Sequence, residues 1–460
     1  MPPQIVSDSN GTTKTTSKSD ITNTNTATQE NLTSNNSGLK DDVIKVDNII
    51  YSTEQLALTH PGGELFVKAF GGRDATEAFL SYHRRAFPHE KMSFAKLNVT
   101  DTKLKADGVD DEYLELCSII DQVLPRHKSF APLSYYLKIF ILLTFTVSLE
   151  LYVHYFKEYS WKYTAILGFT YALIGLNIQH DANHGAVSKN SNVNRLLGLT
   201  QNYIGGSAVD WIHQHVVQHH IHTNDINDDP DITGNDVLRL NPIKEILPHQ
   251  VWQHVYIFAL IALFGFTTVV SAAEALISGV RHTPMSSLVK SYRSFEILGS
   301  IAFVSRWVVL PLFSQVNEGN YFNFIALVNT APLYIIAGYY LAFFFILSHN
   351  FEGVNFYDNA KSECGSSFLR NQVASSSNVG GSLLCFMNGG LNYQIEHHLF
   401  PRIQHTHYPT IAPVVRAFCE SKGIPYVHFP TIMHNALSTA RHLSTMSTYD
   451  KIPKGGMKTE

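Results

Sequence analysis

Three short runs in this chain place histidines at spacings that suit metal binding: His180-Asp-Ala-Asn-His184, His215-Val-Val-Gln-His219-His220 and Gln394-Ile-Glu-His397-His398. Imidazole binds iron, copper, nickel and zinc well, whereas harder ions prefer carboxylates and softer ones thiolates. Residues four apart share one helix face, about 5–6 Å apart at Cβ, so His180 pairs with His184, His215 with His219 and Gln394 with His398. In the doublets His219-His220 and His397-His398 the two rings diverge by about 100° on a helix, so neighbours can serve different metals. His349, in Ser348-His349-Asn350, closes the last long apolar stretch and joins the set. Three or four protein ligands complete a single zinc site, so this many imidazoles imply two metal ions. Imidazole ligation with open positions suits iron that reacts with dioxygen. A site at a membrane face without a charged pocket suits a lipid substrate, and oxidation of an unactivated acyl C–H bond is the chemistry expected. Asp181 and Glu396 are placed to support the imidazoles, because a ligating histidine commonly donates its other N–H to a carboxylate or carbonyl. Asp225, Asp228, Asp229 and Asp231 read as solvated loop charges or as further support. His222, His249, His254, His282, His405 and His407 read as structural or supporting residues.

These clusters need rigid elements to hold them. Apolar stretches run at about 134–156, 162–179, 251–270, 297–313 and 323–348. A helix needs roughly 20 residues to cross a hydrocarbon core of ~30 Å. The first, second and last stretches meet that length; 297–313 is short and contains Arg306, and 251–270 carries Gln253 and His254. If the clusters share one site they lie on one side of the membrane, so an even number of crossings separates them. Three stretches lie between His220 and His397, so one does not cross. The expectation is that 251–270 lies in the interface as an amphipathic helix, which leaves four transmembrane helices. The segment 314–322 carries Glu318 and no Lys or Arg, while Arg281, Lys290 and Arg293 fall on the histidine side, as the positive-inside rule expects.

The formal charge of −4 argues against a nucleic-acid partner, which needs a basic surface. Four scattered cysteines form no CxxC pair, so neither a disulfide framework nor a thiolate metal site is expected. No basic-then-apolar segment opens the chain, so no cleavable signal peptide is read. Residues 1–41 are rich in Ser, Thr and Asn and read as a disordered tail, whose sequons at Asn10 and Asn31 would stay cytosolic and unused. A small polar domain is expected over 42–102, opened by a hairpin in which Val43–Val46 and Ile49–Tyr51 flank Asp47-Asn48. A mostly helical linker follows at 103–131, then a membrane domain at 132–440 and a C-terminal tail at 441–460. Within the small domain stand His60-Pro-Gly-Gly63, then Gly71-Gly-Arg-Asp-Ala-Thr76, Phe79 and Tyr82-His83.

That spaced combination resembles the cytochrome b5 fold, whose haem iron is held by two axial histidines, matching His60 and His83. The upstream half departs from that family, lacking its usual Trp-containing opening. A cytochrome b5 domain ahead of three histidine boxes, the third beginning with Gln394, resembles the front-end fatty acid desaturases. Asn177-Ile-Gln-His-Asp-Ala-Asn-His-Gly185, Phe345-Ile-Leu-Ser-His-Asn-Phe351 and Asn388-Gly-Gly-Leu-Asn-Tyr-Gln-Ile-Glu-His-His-Leu-Phe-Pro-Arg402 look most like the Δ5 acyl desaturases of fungi, diatoms and slime moulds. The resemblance implies an α+β haem domain followed by an all-α membrane desaturase domain with four transmembrane helices and a cytosolic di-iron cap. It implies two non-haem irons on His180, His184, His215, His219, His220, His349, His397 and His398, with Gln394 at a position where other desaturases often carry histidine. It further implies haem b, dioxygen, and electrons from NADH through a cytochrome b5 reductase, in the endoplasmic reticulum membrane. The substrates implied are C20 polyunsaturated acyl chains, carried on coenzyme A or phospholipid. These would be dihomo-γ-linolenoyl or eicosatetraenoyl chains, giving arachidonic and eicosapentaenoic acids. Δ6, Δ8 or Δ4 desaturation, a sphingolipid substrate and acyl hydroxylation are the alternatives at the same metal chemistry.

Overall fold

The computed structural model describes residues 39–40, 42–97, 110–234, 236–278, 286–315, 321–358 and 367–448. The N-terminal tail, both sequons, Arg281, His282 and part of the segment 314–322 lie outside these residues.

Residues 42–97 form a small α+β unit. The expected hairpin is present: Val43–Val46 pairs antiparallel with Ile49–Ser52. Asp47 and Asn48 both take positive φ, 49° and 65°, as a two-residue turn of the primed type demands. Ser52 caps the helix Thr53–Thr59 by accepting from the Gln55 amide. The helix Thr76–His83 is tied to the hairpin, since Thr76 Oγ1 accepts from the Asp47 amide at 2.8 Å and donates to Asp74 at 2.6 Å. Ile44, Val46, Tyr51, Leu56, Phe70 and Ala78 close the core beneath.

The linker is less independent than its composition suggests. Its helix Asp111–Val123, capped by Asp110, sinks Tyr113, Leu116 and Ile120 into a core with Phe400, Tyr408 and Ile411. The Tyr113 hydroxyl donates to the Leu399 carbonyl at 2.6 Å, so this helix braces the segment that carries the third cluster.

Among the described residues, four helices are long and apolar enough to cross a membrane: Arg126–Tyr155, Pro248–Glu274, Tyr292–Leu312 and Phe324–His349. Large apolar side chains stand outward from them, Leu133 at 84% exposure and Phe140 at 66% among them, where lipid would cover them. This set differs from expectation in one member. The predicted second span is a helix, Trp161–Ile174, which continues through a π-helical turn at Gly175–Gln179 into His180–Asn183. It includes Lys162, Asn177 and Gln179 and is the less apolar for them; Lys162 is exposed at its start, and the other two are shielded by neighbouring helices. Asn177, for example, accepts from Lys138 of the first helix at 2.6 Å. A Cβ at Gly168 would stand 2.7 Å from the Leu333 carbonyl, which shows how closely it lies along Ala331–His349.

The stretch predicted to lie flat is instead one of the four apolar ones, and it too packs into the bundle. Gly265 meets Gly338 backbone to backbone, and Phe266 stacks on Tyr334 at 4.8 Å. Both of its flanks nevertheless lie on the histidine side. Gln253 donates to the Leu443 and Arg239 carbonyls at one end, and Tyr292, beyond the other, packs with Phe66 and Val209. Arg306 is reconciled with its apolar helix by Glu150: Nη1 sits 2.8 Å from Oε2, with Tyr171 and Tyr203 also donating to that carboxylate.

Candidate metal centre

His180 and His184 come from the end of the helix Trp161–Asn183, and His349 ends the helix Ala331–His349. His397 and His398 stand on the short helix Gln394–Leu399. The middle cluster departs from the α-helical spacing expected. Ile212–His219 is a π-helix, which places the His215 and His219 rings 5.4 Å apart and stacked within 19°. Such wider turns recur at functional sites because they re-aim side chains that α geometry would align.

All nine residues singled out from sequence converge, and all are buried. The ligand atoms of His180, His184, His215 and His397 lie within 4.8 Å of one another, and those of His219, His349 and His398 form a second such group. His220 stands between them, Nε2 at 3.2 Å from His215 Nε2 and its ring stacked on His398 at 4.2 Å. Gln394 fills the remaining corner of the second group, its amide nitrogen 3.0 Å from His349 Nε2 and 3.1 Å from His398 Nε2. A half-turn of that amide brings its oxygen, the ligating atom, to the same point.

Metal ions fit this arrangement because several inward atoms have nothing else to bind. His184 Nε2, His219 Nε2, His397 Nε2, both nitrogens of His180, and Gln394 Oε1 are buried without a hydrogen-bond partner. Each such group left unsatisfied costs about 1–3 kcal/mol. The outward nitrogens, by contrast, are held. With Nδ1 protonated, His349 donates to the Ser375 carbonyl at 2.9 Å, His397 to the Tyr408 hydroxyl at 3.2 Å and His398 to Gln372 Oε1 at 2.9 Å. His184 Nδ1 meets the Tyr82 hydroxyl at 3.0 Å. This leaves Nε2 as the ligating atom of these four.

Burial, then the neighbouring imidazoles, push His184, His215, His220, His397 and His398 well below the ordinary histidine range, so they are neutral and able to ligate. His219 differs. Burial pulls it down, but the carboxylates of Asp229 and Asp231 at 3.3 and 2.9 Å override this and raise it to about 10. Beside those carboxylates a cation is wanted, and a metal on Nε2 would supply it.

The carboxylates singled out from sequence fare unequally. Asp181 lies 3.8 Å from His180 Nδ1, and its short contact, 2.6 Å, is with His405. Glu396 turns away from the metal cluster: it accepts from Tyr426 and Asn378, both at 2.8 Å, and fastens its helix to the neighbouring loop. Asp229 and Asp231 take the supporting role instead. Their signal was the Asp-Asp-Pro-Asp run just after the second cluster. Tyr408, Gln372 and Thr223, whose hydroxyl meets His398 Nδ1 at 3.0 Å, carried no local signal, and Tyr82 stood only in the motif around His83.

A second constellation lies beside the first. His60 and His83 face each other, ring centroids 5.9 Å apart, across a cavity of about 890 Å³ that Phe66, Phe79, Tyr82 and Arg402 also line. Two imidazoles on opposite sides of one iron, each bonded at ~2 Å, would hold their centroids ~6 Å apart. His60 Nδ1 donates to the Gly63 carbonyl at 2.7 Å and His83 Nδ1 to that of Phe79 at 3.0 Å, which frees both Nε2 atoms for the cavity. The glycines have a steric reason: a Cβ at Gly62 would stand 2.9 Å from His60 Cε1, and Gly63 takes φ +85°.

Apolar helices that end in two groups of buried imidazoles define a membrane protein with a histidine-rich site able to hold two metal ions. The chain belongs to the fatty acid desaturase family, whose model matches residues 159–430. It is 42% identical over 408 residues to the acyl-lipid (7-3)-desaturase of Rebecca salina, covering 87% of this chain and 90% of that one. It is 41% identical over 418 residues to the acyl-lipid (7-3)-desaturase of Diacronema lutheri, covering 90% and 92%. Acyl-lipid (8-3)-desaturase B of Dictyostelium discoideum is 26% identical over 438 residues, covering 88% and 90%. The chain is thus a front-end acyl-lipid desaturase, an oxygen-dependent oxidoreductase.

Proposed function

We propose that this desaturase places its double bond near the carboxyl end of a polyunsaturated acyl chain, with a di-iron centre fed by its own haem unit. The observation that carries this reading is the pair of buried imidazole groups, in which the Nε2 atoms of His180, His184, His219 and His397 lack partners. His180, His184, His215 and His397 would hold one iron, and His219, His349 and His398, with Gln394, the other. His220 lies within reach of both. The irons would supply dioxygen activation; the net reaction takes two hydrogens from the acyl chain and, with two electrons and two protons, reduces dioxygen to two waters. The chain's own part is to keep the ligands neutral, to fix their rings from the Nδ1 side and to keep the site buried. His60 and His83 would hold haem b, which supplies single electrons received from NADH through a reductase, and Arg402 gives the cavity a cation for its carboxylates. The helices Leu133–Tyr155, Trp161–Asn183, Tyr292–Leu312 and Phe324–His349 would cross the endoplasmic reticulum membrane, with Pro248–Ser278 dipping in and returning to the cytosolic side.

On bond position the motifs and the relatives part. The motifs resemble Δ5 enzymes, which an (8-3) name also denotes, yet relatives so named are 26–29% identical, against 41–42% for the two (7-3) enzymes above. The reading taken here is therefore C4, with C5 second. Yeast expressing the chain and fed docosapentaenoic or dihomo-γ-linolenic acid in parallel decides it: a new bond at C4 of the first supports the (7-3) reading and one at C5 of the second the Δ5 reading. Product without any new double bond, hydroxylated instead, would overturn desaturation itself. The metal assignment has its own test. His397→Ala is expected to lose iron and product while keeping the haem spectrum, and His60→Ala to lose the haem spectrum while keeping iron.

A further inference from the structure

The two constellations touch. Tyr82 precedes the haem-facing His83 in sequence, is half-buried between the two units, and brings its hydroxyl within 3.0 Å of His184 Nδ1, 102 residues away. The approach is close elsewhere along the same seam: a Cβ at Gly185, directly after His184, would stand 3.1 Å from the Phe66 ring, and one at Gly63 would stand 3.1 Å from Ser191. Ala182, Asn183 and Gly185 of the first cluster line the same cavity as His60 and His83.

We propose that Tyr82 couples the two metal sites, holding the His184 ring and joining the haem ligand to the iron ligand by a path with one non-covalent step. The path runs from His83 along the backbone to Tyr82, through its ring and hydroxyl, and across the hydrogen bond from His184 Nδ1. Resting on the di-iron and haem reading above, the step it serves is a one-electron exchange. Ferrous haem iron becomes ferric, one ferric ion at the histidine cluster becomes ferrous, and no bond or net proton moves. Tyr82 is a positioning residue here; a phenol without its neighbour's ring nitrogen would offer no such path. Tyr408 is the natural comparison, because its hydroxyl holds His397 Nδ1 in the same manner at 3.2 Å but stands outside the haem unit.

The test uses full-length holoprotein in nanodiscs, with iron and haem contents measured for wild type, Tyr82→Phe and Tyr408→Phe. Each is chemically reduced and mixed with oxygenated buffer and acyl substrate, and haem reoxidation is followed at the Soret band. At equal iron occupancy Tyr82→Phe should slow reoxidation roughly tenfold or more, the scale of losing a supporting partner, and clearly more than Tyr408→Phe, which removes a bond of the same kind to an iron ligand but outside the haem unit. Reoxidation of Tyr82→Phe at the wild-type rate, or equal slowing in both variants, overturns the coupling role. Wild type that carries no haem or no iron would instead overturn the reading on which the proposal rests.

Discussion

At the scale of single residues, the metal cluster shows which part of a site a sequence displays. His180, His184, His215, His219, His220, His349, Gln394, His397 and His398 could be picked out because ligands are few in type and local in spacing. The groups that aim them could not. Tyr82, Tyr408 and Gln372 reach their histidines only through the fold, and their residue types are common elsewhere. Asp231 is the most exposed to test of these supports. It binds His219 Nδ1 at 2.9 Å and is itself held by Gln214 at 2.8 Å. Asp231→Asn keeps the shape and removes the charge that favours a cation on His219, so iron affinity and turnover should fall about 10–100-fold. Iron titration of the apoprotein followed by product assay checks this; an unchanged affinity would assign the carboxylate to folding alone.

At the scale of elements, helix length and apolarity could be read directly, but not which helices are shielded. Trp161–Asn183 tolerates Asn177 and Gln179 because that end is enclosed, and Pro248–Ser278 is apolar yet both its flanks pack on the histidine side. The π-turns at Gly175–Gln179 and Ile212–His219 escaped for a related reason: a slipped hydrogen-bond ladder is set by packing around it, not by residue type. Arg306 on Tyr292–Leu312 makes the energetic point. Its Glu150 partner is 5% exposed and also accepts from Tyr171 and Tyr203. Arg306→Ala strands that carboxylate, and breaking a buried pair from one side costs about 3–5 kcal/mol. Thermal unfolding in detergent should show a clear fall in midpoint for Arg306→Ala and a smaller one for the double variant Glu150→Gln with Arg306→Met. Equal losses would mean the pair matters for packing only. The Gly265–Gly338 crossing is the second weak point, since a Cβ at Gly338 runs into the Gly265 backbone. Gly338→Ala should destabilise by about 1–3 kcal/mol, as overpacking does, read by the same unfolding assay.

At the scale of the whole molecule, one requirement organises everything: residues drawn from positions 180 to 398 must meet on one side of a bilayer. The helix ends sort accordingly. Asn329 donates to the Tyr159 carbonyl at 2.9 Å and Thr164 to that of Asn329 at 2.6 Å, so the turn after the first helix and the turn before the last lie together, at the end away from the histidines. The α+β unit, the linker helix and the third cluster gather at the other end. The even count of crossings then depends on Pro248–Ser278. If it crossed outright, Tyr292 could not pack with Phe66 and Val209, and Glu296 could not accept from the Val209 amide at 3.3 Å. Single cysteines placed in a chain whose own cysteines have been replaced make this measurable. In sealed microsomes a membrane-impermeant maleimide added outside should label Lys244→Cys and Lys422→Cys, and should reach Glu158→Cys and Tyr321→Cys only after detergent. Labelling at Tyr321→Cys without detergent would place an odd number of crossings after the second cluster, and one histidine cluster would then be on the wrong side of the membrane.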